Sequence, residues 1–149
     1  MDENLEASMR PGELSELGFL GEHERLDEVL KSDDESVKRL GVTHEKIASR
    51  IEYFIKAVRR LSKQGQLIDG KYLVGGTQWR GGQKCPWGDV SFSMPHGSID
   101  LFVRNIELGE QLNFPGGIVH LIREHQFYEG KESPYRVDPE KAVRVLDVK

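Results

Sequence analysis

The sequence predicts an α+β fold on three observations. Apolar residues recur at helical spacing before residue 64; a stretch from about residue 70 to 114 alternates apolar and polar residues between Gly- and Pro-rich turns; and two short helical segments close the chain. Helices, then strands, then helices describes segregated elements rather than the βαβ alternation of a parallel sheet. The expected architecture is an N-terminal helical part of about three helices over residues 22–64, then an antiparallel meander of about four or five strands and two short C-terminal helices over residues 70–149. At 149 residues the chain reads as one domain, long enough to bury a core without disulfides.

The first 20 residues read as a polar arm whose order depends on docking, since Pro11 and Gly12 interrupt any helix there. Leu26, Val29 and Leu30 begin a helix, and Ser32 heads SDDE, a capping box that predicts a second short helix carrying Val37 and Leu40 and stopping at Gly41. Thr43 caps a third helix, expected over His44–Lys63, with Ile47, Ile51, Phe54, Ile55, Val58 and Leu61 as its apolar stripe and Arg59, Arg60 and Lys63 in its last turns. Strands are expected over 72–74, 79–80, 90–94, 98–106 and 112–114. Turns fall at Pro95-His96-Gly97 and Glu107-Leu108-Gly109-Glu110, and the long helix covers one face of the sheet.

A helix over about 117–128 follows the Phe114-Pro115-Gly116 entry. At 100° per residue it sets Ile118, Leu121, Ile122, His125 and Tyr128 on one side and His120, Arg123 and Glu124 on the other, so that the two imidazoles point apart. Asp138 with Pro139 then starts a final helix carrying Ala142, Val143 and Leu146.

Composition narrows function by exclusion. A net charge of -4 and a pI near 5.8 argue against a phosphate backbone as the main partner. No apolar run reaches the length of a membrane span, and the acidic N-terminus lacks the pattern of a signal peptide, so a cytoplasmic location without membrane contact is expected. A lone cysteine, Cys85, rules out an internal disulfide and a Cys-rich zinc site. No phosphate loop, dinucleotide fingerprint, HExxH, GxSxG or EF-hand loop is present.

Three functional readings remain. The first is a non-catalytic interaction or regulatory module with a protein or peptide partner, its working surface made by Trp79, Trp87, His120, Phe127, Tyr128 and Tyr135 around the glycine-rich Trp79–Asp89 loop. The second centres on Cys85 and His125. In one form, Cys85, Asp89, His96, His120 and His125 supply donors for zinc, although the H-x4-H pair lies 140° apart on a regular helix and needs it to loosen before both histidines can reach one ion. In the other form, a Cys-His hydrolase, Cys85 is the nucleophile, His125 or His96 the base, and Asp89 or Asp100 orients the imidazole. Third, residues 36–51 resemble a helix-turn-helix, with Gly41 in the turn, although Glu45 at the start of the reading helix opposes phosphate contact.

Overall fold

A computed structural model describes residues 3–13, 18–79, 83–89, 91–92 and 99–149, and these form an α+β structure. Its elements in chain order are α1 (Glu3–Ser8), α2 (Leu26–Arg39), α3 (His44–Ala57), β1 (Gln66–Ile68), β2 (Tyr72–Gln78), β3 (Gln83–Lys84), β4 (Ser91–Phe92), β5 (Ile99–Asn105), β6 (Glu110–Pro115), α4 (Ile118–His125) and α5 (Pro139–Leu146). β1, β2, β5 and β6 make an antiparallel sheet in that order, while β3 and β4 pair separately as a short ribbon between β2 and β5. The hairpin expected at 95–97, and with it His96, lies outside the described residues.

Period-2 alternation sets one face of the sheet into the core. Val74, Val103 and Leu112 lie side by side across three strands, as do Gly76, Leu101 and Phe114. α5 packs on β5 and β6, and the Asn105 amide donates to the Val145 carbonyl at 2.9 Å. α3 lies chiefly along α4 and reaches the sheet where Phe54 meets Tyr72 edge-on, with ring centroids 4.8 Å apart. The sheet is therefore covered by α5 more than by the long helix expected there. β1, absent from the expected strands, joins β2 through Asp69-Gly70, both at positive φ (54° and 65°), in the turn chemistry of a tight hairpin.

Two helical expectations are corrected. Residues 26–39 form one helix, with Ser32 in its interior, because Asp33 of the apparent capping box is buried against Arg136 and the segment gains more by continuing. α3 stops at Ala57, and Val58 is already extended (φ -75°, ψ 117°), so Arg59, Arg60 and Lys63 lie beyond the helix. The chain must turn here because residues 58–65 cross β2, where Gly76 N–H donates to the Ser62 carbonyl at 2.8 Å. Gly75 permits that crossing: a Cβ there would stand 2.5 Å from the Ser62 oxygen.

Other signals hold. Gly41 at φ 73° closes α2 with its N–H on the Lys38 carbonyl and that of Val42 on Val37, Thr43 accepts from Lys46 N–H at 3.1 Å, and Asp138 accepts from Lys141 N–H at 3.1 Å. The N-terminal arm is docked over its described part: Met9 is fully buried, its carbonyl accepts from Phe19 and Leu20, and Arg10 donates to the Gly21 carbonyl at 2.6 Å.

Tyr128, Glu129 and Arg136, from the segment after α4, form a polar seam with α2 and the start of α3. Arg136 forks onto both oxygens of Asp33 (2.7 and 2.9 Å) and donates to the Glu129 carbonyl. The Tyr128 hydroxyl meets His44 Nδ1 at 2.8 Å, and His44 Nε2 meets Asp34 at 2.9 Å. Glu129 is buried, Ser133 Oγ is the one group among the described residues bonded to its carboxyl, and burial pushes its pKa up to about 8.

Because Glu129 keeps its proton in the folded chain while the unfolded chain loses it near 4.5, stability falls as pH rises from about 4.5 to about 8. Glu129→Gln is expected to flatten that slope and to be more stable than wild type at pH 8.5 by on the order of 3 kcal/mol, measured by urea unfolding across pH. A wild-type slope retained in the variant would show that another group causes it.

Candidate metal centre

The segment Cys85-Pro86-Trp87-Gly88-Asp89 is a tight turn whose shape follows from its residues. Pro86 presets φ at the second position, Gly88 adopts φ 79°, and its N–H closes onto the Cys85 carbonyl at 2.8 Å. The backbone N–H groups of Trp87 and Gly88 beside the Cys85 sulfur act to lower its pKa, although burial outweighs them. Donors so placed favour a thiolate.

α4 supplies the other half. Its register along α3 is held by Arg123, which bonds Glu45 at 2.9 Å, Ser49 at 3.2 Å and Glu52 at 3.3 Å. The helix ends at His125, where Gln126 turns left-handed (φ 55°) and Phe127 N–H returns to the Leu121 carbonyl. Glycine is the residue usually found in such an exit, and an exposed Gln126 bears the Cβ penalty. Gln126→Gly is therefore expected to raise stability by about 0.5–1 kcal/mol, read as a melting temperature about 2 °C higher. A lower value would mean that the Gln126 side chain makes a contact worth more than the strain.

The turn and the helix meet. Asp89 receives His125 Nε2 at 2.8 Å and His120 Nε2 at 3.1 Å, and the Cys85 thiol bonds to the same carboxylate. Trp87 lies flat on the His125 ring, with centroids 4.1 Å apart and planes 4° from parallel, and meets Phe127 edge-on at 5.5 Å. The expectation that His120 and His125 point apart is corrected: their rings touch edge to face at 5.2 Å while the helix stays regular to residue 125. The 140° separation fixes where each Cβ leaves the axis, but rotation about χ1 and χ2 swings both rings toward the carboxylate above the helix end.

One sulfur, one carboxylate oxygen and two imidazole nitrogens thus lie within 4.8 Å of one another. A tetrahedral zinc shell, with bonds of about 2.0–2.3 Å, separates its donors by roughly 3.3–3.6 Å, so the cluster needs to close by about 1 Å to hold a metal ion. As it stands, burial and then the Asp89 hydrogen bond push the Cys85 thiol up to about 12, whereas that thiol and the two imidazoles hold Asp89 well below the usual carboxylate range. A dication among these groups reverses the pressure on the thiol, because the charge of the ion dominates at such distances.

The remaining sequence candidates divide. Cys85, Asp89, His120 and His125 come together, and the tryptophan-bearing turn does fold against the imidazole-bearing helix. Phe127 and Tyr128, expected on a partner-facing surface, are fully buried, which corrects that assignment: the helix ends before them, and the chain carries them inward to Trp87 and His44. Trp79 and Tyr135 are exposed, but the indole of Trp79 bonds Asp100 on β5 rather than a member of the cluster. In the segment resembling a helix-turn-helix, Glu45 and Ser49 are engaged by Arg123 and His44 by Tyr128 and Asp34. No helix among the described residues is long and apolar enough to cross a membrane.

The polar seam was missed. Asp33 carried a capping signal and Arg136 sat in an apparent link, and no local pattern announces a pair separated by 103 residues. Comparison of the chain with protein-family models, with curated proteins and with solved structures finds no match to any of them.

Proposed function

We propose that this is a zinc-binding domain in which Cys85, Asp89, His120 and His125 hold the ion and so fasten the insertion between β2 and β5 to the end of α4. The observation that carries this reading is the convergence of four donors, Cys85 and Asp89 from one turn and His120 and His125, 31 and 36 residues beyond Asp89, from the end of α4. Mixed sulfur and imidazole donors suit zinc, whereas oxygen-only shells suit calcium or magnesium. The alternative use of Cys85 as a nucleophile is less well supported, since a buried thiol with its pKa near 12 carries almost no thiolate at neutral pH.

Elemental analysis of purified protein tests the proposal. One zinc per chain, lost in Cys85→Ala and in His125→Ala, is the expected result; a metal-free protein that also fails to take up added zinc would remove the basis of the reading.

A further inference from the structure

The four donors are not equivalent. Cys85 is 1% exposed; His120 and His125 stand on one helix with side chains 22% and 14% exposed, the second clamped under Trp87. Asp89 is the outermost, its side chain 40% exposed. Among the described residues, every hydrogen bond to its carboxylate comes from Cys85, His120 or His125. With an ion bound, those three groups would turn their lone pairs to the metal, and Asp89 would keep no other partner among the described residues. Carboxylates that ligate durably are normally oriented by a further hydrogen bond, and among the described residues none outside the cluster supplies one.

We infer that Cys85, His120 and His125 form the fixed part of the metal centre and that Asp89 occupies an exchangeable fourth position, which water or a small monodentate anion takes when the carboxylate swings aside. This rests on the zinc-binding reading and goes further, because a shell of three protein donors with one replaceable position is the arrangement that lets a zinc ion act on an exogenous ligand, whereas four fixed donors make only a staple. The exchange is simple ligand substitution: the metal–carboxylate oxygen bond breaks, a bond from the anion's donor atom to the metal forms, and no electron changes hands. Once displaced, the Asp89 carboxylate stays beside the vacated position, placed to accept a hydrogen bond from a water molecule bound there.

Cobalt(II) makes the coordination visible. The full-length protein, loaded with cobalt and titrated with azide or thiocyanate, is expected to show a saturable change in its visible ligand-field bands. Asp89→Ala is expected to retain cobalt and to bind the same anion at least about tenfold more tightly, since it no longer competes for the position. Cys85→Ala, His120→Ala and His125→Ala are each expected to lose tight cobalt binding. Tetrahedral bands that the anions leave unchanged, together with loss of cobalt in Asp89→Ala, would overturn the exchangeable position while leaving the zinc-binding reading intact. No cobalt bands in wild type would overturn both.

Discussion

Loaded with zinc, the wild-type protein is expected to melt about 10 °C or more above the chelator-treated protein, while Cys85→Ala melts at the same temperature with or without the metal. The size follows from linkage. A ligand that binds only the folded chain stabilises it by about 4 kcal/mol at a free concentration a thousand times its dissociation constant. For a chain of this length each kcal/mol moves the midpoint by about 2–4 °C. The unfolded chain cannot reproduce the site, because Cys85 and Asp89 reach His120 and His125 only through the packing of the insertion against α4. Differential scanning with zinc and with a chelator measures the effect, and superimposable wild-type melts would mean that the four donors meet without holding an ion.

Asp33→Ala is expected to cost about 3–5 kcal/mol, the second large effect. The substitution strands the Arg136 guanidinium inside the protein, where, among the described residues, Asp33 is its only ion-pair partner besides Asp138 at 3.6 Å. Attraction between the two charges is not what would be lost; most of the cost comes from leaving one ion buried without its partner. Replacing both, as in Asp33→Leu with Arg136→Met, is therefore expected to recover a substantial part of the loss. Urea unfolding of the single and double variants measures this, and a double variant as unstable as the sum of its parts would assign the pair a shape that leucine and methionine cannot fill.

How far the sequence discloses this molecule depends on whether a signal is local. Gly41, Thr43, Asp138 and the alternation of residues 99–105 act within one turn or one strand, and each places its element correctly. The SDDE box and the run of apolar residues to Leu61 are equally local but mislead, because a buried arginine and a chain crossing over Gly75 and Gly76 impose conditions from elsewhere. The metal cluster falls between these cases. Its residue types are visible, and the Pro86 and Gly88 turn marks where a sulfur is presented, yet helical geometry alone argues that His120 and His125 cannot share an ion. Only the position of Asp89 over the helix end resolves that conflict, and Asp89 arrives there through tertiary packing. Phe127 and Tyr128 fail for the same reason in reverse: aromatic residues beside a glycine look exposed until Gln126 turns the chain inward.

β2 ends at Gln78 and β5 begins at Ile99, and those two positions are paired neighbours in adjoining strands. The sheet is thus complete across the base of the insertion, whatever the insertion does. Deuterium should enter the amides of β2, β5 and β6 at rates set by global opening, with or without the ion. The Cys85–Asp89 turn should exchange through a separate, shallower opening that zinc closes. Such a layout would let the ion proposed for this site enter and leave at the rim while the strands beneath stay zipped.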